Sequence, residues 1–476
     1  MTLTQSITAL LLAGPLLASP LLAEPLTSKR PSTIFPQVVG AAPILDQNTS
    51  KGLVDDSHLS LLSTNQYYDA DFRSGTAAQR ANASRQSEWG QGFRLNFQSG
   101  YTQGSVGLGM DVLGLWAFKL DSGGRIGKGD RQPAIIFPRD TDNSSVNEFG
   151  SVHCTPKMRI SKTESRYGVH QPKWPILLSS GQNLAPQLFR GWMLSSNEID
   201  NLQINLGRFD ANKGRASTDM VPMSIPGSYN NRDVNKRRYS NDFNFFLSEY
   251  QVNQNLKLQY QLGQLEDFYN QHFFGINSKF GLGDGLLWSE IRYYRSTGNG
   301  ENRTSSGRNE GYVGTGYFGN GVTSGEVDNT LYSVLSNYSI GGHTFSLGYQ
   351  KSQGPSDFPW INQGEGNISG LNTDIWINKF QRSGERTVQA RYSYDFAAMG
   401  IPGLNLGVAY LKGTGINSAE GDLKERVRGG LLSYAIQSGP LKGVGFLYSY
   451  ASLKTQVNQP SIDEQRFMIN YTKAFF

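Results

Sequence analysis

Val388-Gln389-Ala390-Arg391-Tyr392-Ser393-Tyr394-Asp395 decides the fold. Val388, Ala390, Tyr392 and Tyr394 fall on one side of an extended chain, and Gln389, Arg391, Ser393 and Asp395 fall on the other. One face is apolar and ends in aromatics; the other is polar and charged. Leu256, Leu258, Tyr260 and Leu262 stand against Lys257, Gln259, Gln261 and Gly263 in the same way. In residues 89–101 the apolar parity is Trp89, Phe93, Leu95, Phe97 and Tyr101. In 106–121 it is Val106, Leu108, Met110, Val112, Trp116, Phe118 and Leu120, with Leu113 and Leu115 intruding on the polar side. Near the end, Phe467, Ile469, Tyr471 and Phe475 share a side, with Lys473 intruding.

A soluble sandwich also alternates. Aromatic-ended apolar faces suit the two girdles of a membrane barrel, and polar faces rich in Arg, Lys, Asp, Gln and Gly suit a wet lumen. Connection lengths point the same way. Short turns at 99–105, 161–162, 200–201, 253–255, 283–285, 341–342, 399–403 and 438–443 alternate with long polar segments at 123–150, 170–187, 210–238, 298–327 and 354–386. The expectation is an all-β, transmembrane antiparallel β-barrel of nine hairpins, roughly 18 strands of ~9–11 spanning residues each.

Composition agrees. The 476 residues are 37% hydrophobic and only 17% charged, with 55 Gly, 25 Phe and 23 Tyr. Mean hydropathy is −0.44, which excludes a bundle of spanning helices. The net charge of +5 is mild, and its densest basic run is Lys236-Arg237-Arg238, so nucleic acid is not an expected partner. The single cysteine, Cys154, excludes an intrachain disulfide, and Pro156 close by signals an irregular strand. Residues 9–23 read as the core of a cleaved export signal, although residues 1–8 lack Lys and Arg. Residues 24–50 read as a poorly ordered leader, and 51–476 as the barrel.

Motifs for other chemistry are weak. The GxGxxG match at 314–319 has no helical pattern after it, the five histidines lack ligand spacing, and no GxSxG occurs. No enzyme, cofactor or metal site is expected. The alternatives are an exported β-rich surface binding protein or a carbohydrate-active enzyme.

Several motifs resemble the OprD family of substrate-specific porins. They run in order from Gly52-Leu53-Val54-Asp55-Asp56 through Glu88-Trp89-Gly90-Gln91-Gly92-Phe93-Arg94, Lys119-Leu120-Asp121-Ser122-Gly123 and Arg159-Ile160-Ser161-Lys162-Thr163-Glu164. Ser195-Ser196-Asn197-Glu198, Asp357-Phe358-Pro359-Trp360-Ile361-Asn362, Tyr392-Ser393-Tyr394-Asp395-Phe396 and Gln437-Ser438-Gly439-Pro440 follow. The resemblance implies a monomeric 18-stranded barrel in a Gram-negative outer membrane, inserted by the barrel-assembly machinery and surrounded by outer-membrane lipid. It also implies loops folded into the pore and a lumen lined by Arg and Lys. Such a lumen would pass small anionic or zwitterionic solutes: amino acids, small peptides or aromatic acids.

Strand parity places Arg94, Lys119, Lys157, Arg159, Arg166, Lys257, Arg292 and Arg391 in that lumen, with Asp111, Glu164, Glu290 and Asp395 among them. Repeated weak cationic sites suit a carboxylate that must enter and leave. Phe358, Trp360 and Asn362 are candidates for an eyelet loop, or for a loop packed on itself. Ala409, Ser433, Leu447 and Ser449 stand at inward positions where basic residues are expected, which predicts weaker anion selectivity.

Overall fold

A computed structural model describes residues 44–74, 85–127, 130–181, 183–319, 324–361, 369–457 and 460–476. Residues 1–43, with the expected export signal, and Asn362 lie outside the described residues. Eighteen long strands form one wall. The first nine are β1 His58–Ser74, β2 Arg85–Gln98, β3 Gly107–Ser122, β4 Glu148–Ile160, β5 Thr163–His170, β6 Leu188–Ser196, β7 Leu202–Lys213, β8 Phe243–Asn253 and β9 Leu256–Leu265. The rest are β10 Tyr269–Leu282, β11 Gly285–Gly298, β12 Asp328–Ile340, β13 His343–Gln353, β14 Arg386–Asp395, β15 Leu404–Ile416, β16 Leu423–Ala435, β17 Gly445–Thr455 and β18 Ser461–Ala474. Each pairs antiparallel with its neighbours in the chain, and β1 pairs antiparallel with β18 from Ser60↔Ala474 to Ser74↔Ser461. That last ladder closes the barrel and removes both sheet edges.

Closure extends to the last residue. The Phe475 amide donates to the Leu59 carbonyl, and the Leu59 amide donates to the Phe476 carbonyl. Backbone pairing thus continues past the point where the side-chain alternation fails. All eight expected short turns lie on one rim with both ends of the wall. Gly283 and Gly341 open two-residue turns at φ +55° and +56°, the left-handed backbone that tight hairpins require.

Alternation sorts the side chains as expected. Trp116, Phe274, Ile291, Phe345, Leu347, Val388 and Phe467 are exposed on the outer face. Cys154 is also exposed there, beside Val152. Pro156 does interrupt the wall. The β4–β5 ladder ends at Lys157↔Arg166, and beyond it the Val169 amide donates to Thr155 Oγ1 at 3.1 Å.

Three expectations need correction. Leu113 and Leu115 do not break the parity: they face inward and are buried beneath Phe137 and Leu184 of inward-folded loops. Tyr101 is not on the lipid side. β2 ends at Gln98, so alternation no longer governs Tyr101, which turns into the barrel and is buried. Residues 44–50 of the leader are docked. The Gln47 amide donates to the Ser161 carbonyl, and Gln47 Nε2 reaches the Thr102 and Gly104 carbonyls at 2.8 and 3.2 Å.

Candidate functional site

The lumen is narrowed by loops from the long-loop rim, and the inner wall is built to receive them. Phe209, Phe243, Phe245 and Leu247 point inward and form one buried apolar cluster with Trp174, Ile176 and Leu177 of loop 171–187. Met223 and Ile225 of loop 214–242 and Phe358, Trp360, Ile361 and Leu371 of loop 354–385 join it. Trp174 stacks on Phe209 with ring centroids 6.1 Å apart, and Phe358 meets Tyr294 edge-on at 5.1 Å. Burying this apolar surface fixes the loops inside the barrel. A second cluster sets Ile136 and Phe137 of loop 123–147 on Leu113, Leu115 and Ala117; a third sets Ile375 and Phe380 on Ala409, Leu411, Val427 and Leu453.

Polar wall residues complete the attachment by holding loop carbonyls. Arg292 Nη1 donates to the Gly370 carbonyl at 2.7 Å, Arg391 Nη2 to the Asn372 carbonyl, and Gln350 Nε2 to the Phe380 carbonyl at 2.7 Å. The eyelet candidates are therefore split in role. Phe358 is buried between the loop and the wall, and Trp360 lies under the Lys379 ammonium, 4.6 Å from the ring.

The basic candidates all face inward, in three settings. Toward the short-turn rim, Lys157, Arg159, Arg166, Asp111, Glu164 and Tyr101 converge. Lys157 Nζ lies 2.6 Å from Asp111 Oδ1 and Arg166 Nη1 3.1 Å from Asp111 Oδ2; Arg166 also pairs with Glu164. Tyr101 donates to Glu164, and the Arg159 guanidinium sits 4.0 Å over its ring while donating to Gln47 Oε1 at 2.9 Å. Along the wall, Lys257 pairs with Glu249 at 3.1 Å and Arg292 with Glu290 at 2.8 Å. Arg94 is buried in the middle of the wall, and toward the long-loop rim Lys119 Nζ donates to the Ser145 carbonyl at 2.6 Å. Asp395 differs from the other acidic candidates. Its carboxylate accepts the Ala397 amide at 2.9 Å and caps the turn after β14.

Sequence reading missed Lys213, Arg215 and the Arg466–Glu464 pair. Lys213 Nζ donates to the Gly214 and Ser217 carbonyls at 3.2 and 3.0 Å. Arg466 pairs with Glu464 at 2.7 Å, lies over the Tyr68 ring and stands directly across from Ser449. The parity that puts Phe467 and Ile469 outside already puts Arg466 inside. No comparable signal marks Lys213 and Arg215, where the strand gives way to a loop.

A closed eighteen-stranded barrel with a lumen narrowed by four loops is the architecture of a porin. Residues 51–475 match the model of an outer membrane porin, OprD family. The chain belongs to the OprD family. It is 31% identical over 441 residues to the porin-like protein GalP of Pseudomonas putida, covering 92% of this chain and 97% of GalP. Its structure superposes on Pseudomonas aeruginosa OccK8 (OprE) with a TM-score of 0.82 at 41% identity, over 89% of this chain and all of that one. It superposes on Pseudomonas aeruginosa OpdK, solved with vanillate, with a TM-score of 0.76 at 30% identity over the same shares. This OprD-family porin is thus an outer-membrane channel of a Gram-negative bacterium and not an enzyme.

One attachment of its inward loop contains a buried pair of carboxyl groups. Glu385, at the root of loop 354–385, is buried against Glu425, which accepts Asn378 Nδ2 at 2.6 Å and lies 3.8 Å from Arg382 Nε. Burial, and then the Glu425 charge, push the Glu385 carboxyl well above the usual glutamate range. A raised carboxyl favours the attached state at pH below its ordinary value, and that contribution is lost as pH rises through the raised one. Single-channel conductance should therefore rise and become noisier across that interval, as the loop is held less firmly. Glu385→Gln should flatten the dependence; an unchanged profile would show that the pair does not govern the loop.

Proposed function

We propose that this porin passes small carboxylate-bearing solutes: amino acids, small peptides or aromatic acids. One observation carries the reading, the unequal treatment of charge in the lumen. The inward carboxylates Asp111, Glu164, Glu290 and Glu464 are each matched by a cation within hydrogen-bonding range. Lys119, Arg159 and Lys213 instead donate to neutral oxygens, which fix their position and leave their charge. The lumen keeps a positive balance spread over its length, so an anion meets several shallow sites and no single trap. OpdK, similar along nearly the whole wall, was solved with an aromatic carboxylate.

Selectivity for anions over cations is expected to be moderate. Ala409 lies beneath the Ile375–Phe380 loop segment, and Ser433 and Ser449 add no charge on the C-terminal strands. Liposome swelling with a panel of carboxylates and size-matched neutral sugars tests the substrate class. Carboxylates should enter faster; equal rates would rule out the reading. Reversal potentials in a salt gradient test the balance of charge, and a cation-selective pore would contradict it.

A further inference from the structure

The outer face of the barrel is uniform around most of its long-loop rim and different in one sector. Elsewhere four outer arginines among the described residues have an acidic neighbour. Arg85 pairs with Asp69 at 2.6 Å, Arg190 with Asp210 at 2.7 Å and Arg295 with Asp328 at 2.5 Å, and Arg208 pairs with Asp242. On β14 to β17 the pattern changes. Arg386, Lys412, Lys424, Arg426, Arg428 and Lys454 are all exposed, and each occupies the outward parity of its strand. Val388, Tyr410, Leu432 and Tyr450 share that parity nearer the short-turn rim.

The register places these cations side by side. Lys412 is directly opposite Arg426, and Arg426 directly opposite Lys454. Arg428 lies opposite Tyr410 on one side and Ser452 on the other. Like charges directly opposite one another destabilise a sheet. Among the described residues none of the six forms an ion pair within 4.0 Å. Glu420 and Asp422, on the turn before β16, point to no such contact, and Asp463 lies one strand further round, across Ser452 from Arg428.

The height of the patch identifies its partner. Lys412 follows Tyr410 by one outward step, and Lys454 follows Tyr450 by two. Exposed tyrosines at the end of an apolar band mark the upper membrane interface. The cations therefore lie at the headgroup level of the outer leaflet, outside the lumen and in reach of lipid. We propose that β14 to β17 bind the phosphate groups of an outer-leaflet glycolipid, with Lys412, Arg426, Arg428 and Lys454 as the main contacts. Arginine forks pair with phosphate oxygens in a bidentate manner and the lysines add point charge. The bound anion also relieves the cross-strand repulsion, so lipid stabilises this part of the wall. A second copy of the chain is a poor occupant, because two such patches repel.

The test uses the full chain in detergent, with its folded state verified by heat-modifiable gel mobility. Lipid retained by wild type and by K412Q/R426Q/R428Q/K454Q is measured by native mass spectrometry with bisphosphorylated lipid A, fully dephosphorylated lipid A and inorganic phosphate as separate probes. Wild type should retain bisphosphorylated lipid A and the variant should bind it roughly 600-fold more weakly, since each of the four basic residues near an anionic surface contributes roughly fivefold. R190Q/R208Q should bind like wild type, and single-channel conductance of the quadruple variant should be unchanged. If the quadruple variant does not fold, Arg428→Gln alone should weaken retention several-fold. Equal retention by the folded variants would overturn the proposal, as would equal binding of dephosphorylated lipid. Inorganic phosphate binding as tightly as the lipid would make this an anion site without lipid specificity, and lipid-independent self-association lost in the variant would make it a contact between copies.

Discussion

Replacing Arg292 and Arg391 together by glutamine should widen the channel and lower its preference for carboxylates. Both guanidiniums are buried and both donate to backbone carbonyls of loop 354–385, Arg292 to Gly370 and Arg391 to Asn372. Hydrogen bonds to charged groups contribute about 1.5–3 kcal/mol each. Losing two therefore shifts the loop between held and released states by at least roughly 100-fold. Single-channel conductance should rise and become noisier. The variant also loses two positive charges and leaves Glu290, now 2.8 Å from a lost partner, uncompensated in the lumen. Carboxylate flux relative to a neutral sugar should then fall about tenfold or more, the equivalent of ~1.4 kcal/mol. Conductance and selectivity that both match wild type would show that neither arginine holds the loop or meets solute.

The wall was legible because a membrane imposes a strict alternation. Every lipid-facing position must be apolar and every second position escapes that demand, so Val388 through Asp395 can be read outward from eight letters. The same rule located Arg292, Lys257 and Arg391 inside. What it could not show is what each cation does there. Arg166 and Lys157 neutralise Asp111, Arg159 holds Gln47 of the docked leader, and Arg391 clamps a loop. These partners come from segments distant in sequence, and residue identity alone does not reveal them. Leu113 and Leu115 were ambiguous for a related reason. An inward position becomes apolar wherever a loop folds onto it, so the inner wall follows two rules at different heights. Asp395 fails at a boundary: parity is sound to the end of β14, but its last carboxylate serves the turn.

Glu88 offers the other large effect. Its carboxylate is fully buried at the top of β2 and accepts the Ile136 and Phe137 amides at 2.7 and 3.3 Å, Arg139 Nη1 at 3.0 Å and the Ser145 hydroxyl. Four donors from loop 123–147 thus converge on a single side chain of the wall. Glu88→Ala removes the acceptor and leaves the Arg139 charge and two amides without it, a loss of about 3–5 kcal/mol for a broken buried pair. The loop should swing off Leu113 and Leu115 and enlarge the lumen. Gly90, two residues on and facing the same way, provides an independent route to that state. A Cβ there would come within 2.5 Å of Phe137 Cζ, so Gly90→Val should expel the ring without touching Glu88. Both variants should remain folded by heat-modifiable mobility, since neither change lies on a lipid-facing position, and both should raise conductance and admit larger solutes in swelling assays. A rise in Gly90→Val alone would assign control of the constriction to ring packing, and a rise in neither would mean that loop 123–147 does not limit the pore.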